Sequence, residues 1–274
     1  MKSLLRKIKN NLFPHPKISS VEIPVFKGEL LKGKTALIIG GSGGIGSEIA
    51  KTFVDNGCRV VITGTNEAKL QDICHSIGTE MAHYVVADIS RNDEIKRLVN
   101  EAVELSGRID IFVHSAGVHC HDMFGSVTEQ VWDTVMNINL KSVYFSCQEI
   151  SNYMIENHIK GHMLIVSSAS SAKPGWTPYE ISKNGVKALT LGFADKLIKH
   201  GIVVNSIAPG PVSTPMLGKN DTSDIAWTGN PTGRMSTPAE IANWALFMVS
   251  DIGNMVVGDT FYISGGSGTI CLDK

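Results

Sequence analysis

A chain of 274 residues, 43% of them apolar, suits one large α/β domain or two small ones and can bury a sizeable core. Its 25 Lys and Arg nearly cancel 26 Asp and Glu, for a net charge of −1, which speaks against a nucleic-acid binder or a trap for acidic substrates. No run of about 18 apolar residues predicts a transmembrane segment. The scattered Cys58, Cys74, Cys120, Cys147 and Cys271, with no CxxC pair, point away from disulfides and structural zinc and towards a reducing, cytoplasmic setting.

Residues 1–32 read as an N-terminal arm. Between Met1 and Phe13, Leu4, Leu5, Ile8 and Leu12 share one helical face, with Lys2, Arg6, Lys7 and Lys9 around them. The stretch lacks the apolar core and cleavage site of a signal peptide. It reads as a short solvated helix or tail, or as a basic amphipathic helix for a membrane surface or a partner. Pro14, Pro16 and Pro24 then predict an extended connector.

From Lys34 the pattern is regular. Thr35 to Ile39 is a buried strand ending in glycines; Ile45, Ile49 and Phe53 recur at helical spacing, and Gly57 closes that helix. Strands are predicted at Arg59–Thr63 and Tyr84–Ala87. A helix starts at Ser90, buries Ile95, Leu98, Val99, Ala102 and Val103, and ends at Gly107. A strand at Ile109–Val113 precedes one long helix over Glu129–Glu156. Then come a strand at Met163–Ser167, a helix over Tyr179–His200 and a strand at Val203–Ile207. Thr237-Pro238-Ala239-Glu240 is a capping box opening a helix, and Val257–Ile263 is the last strand. The polar, glycine-rich stretch at about 216–234 reads as a lid. Alternating strands and helices imply an α/β fold: a three-layer, doubly wound parallel sheet in a single domain over 33–274.

The segment Gly40-Gly41-Ser42-Gly43-Gly44-Ile45-Gly46 joins the first strand to the first helix. Glycines let backbone approach a pyrophosphate, and the helix N-terminus offers free N–H groups and a positive dipole end. That placement makes the fold Rossmann-like and assigns Gly40, Ser42, Gly43, Gly44, Ile45 and Gly46 to cofactor binding. After the second strand, Gly64-Thr65-Asn66 carries no carboxylate until Glu67, so nothing repels a ribose 2′-phosphate. Thr65 and Asn66 are therefore expected at the adenosine ribose. NADP(H) is the expected cofactor and NAD(H) the alternative, since no arginine stands at Gly43 or Thr65 and Lys69 is the nearest cation.

Tyr179 and Lys183 lie four residues apart, on one helical face. An ammonium beside a phenol lowers its pKa, so Tyr179 is expected to exchange a proton with substrate. The ordered motifs are Gly40, Gly44 and Gly46; Ala87-Asp88; Ala116-Gly117; Asn139-Leu140; Ser167-Ser168; Tyr179 and Lys183; Pro209-Gly210 through Thr214; and Ser264-Gly265-Gly266. Over about Leu30 to Gly268 the chain resembles the short-chain dehydrogenase/reductase family.

The resemblance implies an NAD(P)(H)-dependent alcohol dehydrogenase or carbonyl reductase acting on a small molecule, assembled as a homotetramer or homodimer. It makes Tyr179 the acid/base and gives Lys183 the task of lowering its pKa and holding the nicotinamide ribose. Ser168, with Ser167 as the alternative, would polarise the substrate oxygen, and Asn139 would hold a water linking Lys183 to solvent. Asp88 with Ile89 would meet the adenine, Ala116 and Gly117 the adenosine ribose, and Pro209, Gly210, Val212 and Thr214 the carboxamide. The chain departs from the family pattern at Ile39, His114-Ser115 and Ser170-Ser171. A silent nucleotide-binding scaffold and an epimerase on the same site are the competing readings. His119-Cys120-His121-Asp122 reads as plain loop, as a substrate contact through His121, or as metal ligands; no metal is expected. Trp176, Trp227, Met216 and Met235 line a pocket or pack in the core, and Arg234 anchors the lid.

Overall fold

The computed structural model describes Ile18 and residues 27–120, 122, 124–218 and 224–270. The amphipathic stretch before Phe13, His121 and Cys271 lie outside the described residues. β1 (Thr35–Ile39), β2 (Arg59–Gly64), β3 (Ala82–Val86), β4 (Ile111–His114), β5 (His162–Val166), β6 (Val203–Pro209) and β7 (Thr260–Ile263) form one parallel sheet in the order β3-β2-β1-β4-β5-β6-β7. The order reverses between β1 and β4, where open α/β sheets place their ligands at the strands' carboxyl ends.

β1, β4 and β6 are buried along their whole length, as strands covered on both faces by crossover helices are. Ala36 and Ile38 of β1 pack under α1 (Gly44–Val54), α2 (Glu67–Ile77) and, further on in the chain, the last helix, which buries Ile241, Ala245 and Leu246. Leu37 and Ile39 face the opposite layer of α3 (Asn92–Ser106), α5 (Ser142–Glu156) and α6 (Pro178–Leu197). Side chains alternate at a period of two, so four consecutive apolar residues, Ala36 to Ile39, feed both cores. This is the three-layer, doubly wound arrangement expected from the sequence.

The elements depart from the sequence reading in three ways. Helix α2 was not anticipated; Asn66 caps it, its side chain accepting the Lys69 N–H at 3.0 Å, and Leu70 and Cys74 are its buried positions. The helical stretch expected over Glu129–Glu156 is present, but α4 (Glu129–Met136) passes through a π turn at Asn137–Lys141 before α5 begins. The third-to-seventh strands shift by one to three residues at their ends, and α3 starts after Arg91 rather than Ser90. The capping box at Thr237 does open the last helix, α7 (Pro238–Val249), with both of its hydrogen bonds present.

Within the stretch at 216–234, Ala226 bridges Arg234 antiparallel. Arg234 makes a fork onto Glu240 at 2.6 and 2.8 Å, tying this stretch to the start of α7. Ile18 joins the same stretch: its N–H donates to Asp224 Oδ1 and its carbonyl accepts from the Ile225 N–H, each at 3.0 Å. Met235 is wholly buried and belongs to the core, not to a pocket wall, whereas Trp176, Met216 and Trp227 are exposed. Among the described residues no helix is long and apolar enough to cross a membrane.

Candidate active site

The glycine loop is shaped by contacts that exclude side chains. Gly40 has φ +80°, and a Cβ on it would lie 2.5 Å from the Ala116 nitrogen. A Cβ on Gly46 would collide with the Gly40 carbonyl, and one on Gly44 would sit 2.8 Å from Thr214 Cγ2. The loop thus presses against the β4 end at Ala116 and the β6 exit at Thr214. No side chain caps α1, whose N-cap is Gly43 in extended conformation. A bare helix N-terminus in a glycine cradle fits a pyrophosphate. Ser42 closes against the end of β2, since a Cβ on Gly64 would meet its hydroxyl at 2.6 Å.

The positions expected to surround a dinucleotide converge on the carboxyl edge. Thr65 and Asn66 are exposed beyond β2, although the Asn66 oxygen serves as the α2 cap. Asp88 is exposed and accepts the Ser90 N–H at 3.0 Å, with Ile89 half-buried beside it. Pro209 ends β6, and the Gly210 N–H bonds Ile263. Val212 and Thr214 are buried as the chain turns away, the Thr214 hydroxyl meeting the Val212 carbonyl at 3.4 Å.

On the other side of the switch point, α6 carries Tyr179 and Lys183. Thr177 and Glu180 form its capping box and Pro178 takes the first turn, so helical register is set just before the tyrosine. The Lys183 ammonium lies 5.9 Å from the Tyr179 ring centroid and donates to the Val166 carbonyl at 3.2 Å. Burial lowers its pKa to about 8. Burial also raises the Tyr179 phenol above its ordinary value, opposed by a hydrogen bond with Ser168; the nearby charges of Glu180 and Cys120 add to the rise. This corrects the expectation of a depressed phenol: desolvation is the largest effect on both groups.

The two serines after β5 separate cleanly. Ser167 is buried and its hydroxyl donates to the Lys183 backbone carbonyl at 3.3 Å. Ser168 is extended, accepts the Ser170 N–H at 3.1 Å and reaches Tyr179. Asn139, in the π turn, is wholly buried; its oxygen accepts the Val118 N–H and its amide donates to the Val118 carbonyl, both at 2.8 Å. The second amide hydrogen reaches Ser182 Oγ at 3.3 Å. A Cβ on Gly117 would lie 3.3 Å from Asn139 Oδ1 and 3.5 Å from Lys183 Nζ, so this carboxamide walls the lysine.

Two residues near the chemistry stand outside the expected catalytic set. The His119 ring lies against that of Tyr179 at a tilt of 50°, with ring centroids 4.5 Å apart; its place two residues after Gly117 was the available signal. His114, noted only as a departure from the family pattern, is buried at the end of β4 and contacts Ser142 Oγ at 3.2 Å. Among the described residues, no three His, Cys, Asp or Glu gather as a metal site.

Residues 40–268 match the family described as enoyl-(acyl carrier protein) reductase. The 3-oxoacyl-(acyl-carrier-protein) reductase FabG of Chlamydia pneumoniae is 33% identical over 243 residues, covering 86% of this chain and 97% of that one. The acetoacetyl-CoA reductase of an Acinetobacter species is 31% identical over 241 residues, covering 85% and 97%. The 3-ketoacyl-(acyl-carrier-protein) reductase of Brucella melitensis, solved in complex with NADH, superposes with a TM-score of 0.80 at 28% identity, over 88% of this chain and all of that one. The chain belongs to the short-chain dehydrogenase/reductase family, NAD(P)-dependent oxidoreductases acting on a C=O or CH–OH group.

Proposed function

We propose that this chain is an NADP(H)-preferring carbonyl reductase, reversible as an alcohol dehydrogenase, whose substrate is a 3-ketoacyl thioester. The carrying observation is the pair of Tyr179 and a buried Lys183 one turn apart on α6, the ammonium 5.9 Å from the ring centroid, beside the Ser167-Ser168 end of β5. The relatives' names supply the substrate class.

Gly40, Ser42, Gly43, Gly44, Ile45 and Gly46 would hold the pyrophosphate, Thr65 and Asn66 the adenosine ribose, and Asp88, Ile89, Ala116 and Gly117 the adenosine. Pro209, Gly210, Val212 and Thr214 would hold the carboxamide. When bound, the nicotinamide supplies the hydride for reduction. Tyr179 donates its proton to the substrate oxygen as negative charge grows there. A phenol raised by burial stays protonated at neutral pH, which suits a donor. Ser168 donates a hydrogen bond to the same oxygen and orients it. Lys183, at about 8, is poised to return a proton to the phenolate. Asn139 fixes Val118 and Gly117 beside that ammonium. Exposed Tyr144 and Leu191, on α5 and α6, support a homo-oligomer as part of this reading.

One experiment tests it: titrate the protein with NADPH and NADH, then follow NADPH oxidation with acetoacetyl-CoA in the wild type and in Tyr179→Phe. NADPH is expected to bind tighter, and the variant to bind it equally while losing at least about 100-fold in turnover. Wild-type turnover in the variant sinks the mechanism. Tighter NADH binding sinks the cofactor preference, and a wild type silent on acetoacetyl-CoA but active on simple ketones sinks the thioester.

A further inference from the structure

The π turn that carries Asn139 has an irregularity with a side-chain remedy. In a regular helix the Ser142 N–H would reach the Ile138 carbonyl; here it bonds Asn137 instead. The Ser142 hydroxyl takes over the carbonyl left behind, donating to Ile138 O at 2.6 Å. That single hydrogen is thereby committed, so the 3.2 Å contact between Ser142 Oγ and His114 Nε2 is an imidazole N–H donating to the hydroxyl oxygen. The other ring nitrogen, Nδ1, is buried with no hydrogen-bond partner, as in a neutral imidazole with its one proton on Nε2. His114 cannot drift. It ends β4, paired between Ile39 and Ile165, with its ring edge-on to Phe112 at 6.3 Å.

The consequence runs in one direction. His114 fixes the rotor of Ser142; Ser142 replaces the bond that the π turn gives up; the turn holds Asn139 so that its carboxamide grips both backbone groups of Val118. Val118 follows Gly117, which abuts the Lys183 ammonium. We propose that His114 and Ser142 are positioning residues for the reaction, a neutral imidazole and a hydroxyl that keep the π turn open and thereby set the wall against Lys183. The idea rests on the reductase reading for its effect on rate, but not for its effect on structure.

The test uses the full chain with Ser142→Ala, Ser142→Thr and His114→Leu. Amide hydrogen exchange at Val118 reports the Asn139 grip. NADPH affinity, and kcat and KM with acetoacetyl-CoA, report function. Ser142→Ala is expected to speed Val118 exchange about 10-fold and to lower kcat about 10-fold, with KM and NADPH affinity within about twofold of the wild type. Ser142→Thr, which keeps the hydroxyl, is expected to restore both, and His114→Leu to follow Ser142→Ala. Unchanged Val118 exchange in Ser142→Ala overturns the proposal, and so does faster exchange with wild-type kcat. If the wild type turns over no carbonyl at all, the reductase reading fails while the exchange comparison still decides the positioning. If His114→Leu does not fold, the two Ser142 variants decide alone.

Discussion

The two halves of the carboxyl edge are built on different principles. The half at β1 and β2 is made of backbone: Gly40, Gly44, Gly46 and Gly64 approach the Ala116 backbone, Thr214, the Gly40 carbonyl and Ser42 so closely that side chains are excluded. The half at β4, β5 and α6 is made of side chains reaching across the fold: Asn139 to Val118 and Ser182, Ser167 to Lys183, His114 to Ser142. A cradle of glycines depends on space, and a web of hydroxyls, amides and imidazole depends on protonation and partners. The first is expected to withstand acid and to fail on an added methyl, and the second to lose stability in acid.

Acid gives the largest expected difference. Burial, with the Lys183 charge adding to it, lowers His114 from 6.5 to about 3. The unfolded chain therefore takes up a proton first as pH falls below 6.5, and folded stability is lost progressively towards pH 3. At 1.36 kcal/mol per pH unit this amounts to about 5 kcal/mol over the window. Urea unfolding at several pH values between 7.5 and 4 should show about 3 kcal/mol of that loss, with a flatter profile in His114→Leu; parallel profiles would break the comparison. His162, lowered by burial as well, contributes in the same direction.

An added methyl should act on the other half. Gly46→Ala is expected to cost about 1–3 kcal/mol by overpacking against the Gly40 carbonyl, and to weaken NADPH binding. Val118 exchange should stay as in the wild type, so faster exchange there would mean that the halves are not independent. The smallest effect is expected at Asn66→Ala: loss of the α2 cap costs about 1 kcal/mol. A drop in NADPH affinity well beyond that loss would show Asn66 to be cofactor-facing first and a cap second.

The same contrast decides what could be read from the chain. The glycine loop, the Tyr179–Lys183 spacing and the capping box at Thr237 are local patterns, and each is found where the sequence places it. Helix α2 was legible too, through Asn66 followed by Leu70, Ile73, Cys74 and Ile77 at helical intervals, but its exposed, polar outer face obscures the period. The π turn was not legible. Glu129 to Glu156 carries one continuous helical pattern, and the break is held by Ser142 and by His114 from another element. Burial likewise has no local signature, which is why the phenol of Tyr179 lies above its ordinary value when the nearby lysine suggested the opposite.

The bond between Ile18 and Asp224 gives the fold a timetable. The two residues are 206 positions apart. At about 5–20 residues per second, roughly 10–40 s of synthesis separate them. Through that interval Ile18 has been made and Asp224 has not, while β1 to β6 precede Asp224 in the chain. The Ile18–Asp224 bond thus forms only after six of the seven strands have been made, and a ribosome that stalls before Asp224 leaves Ile18 without it.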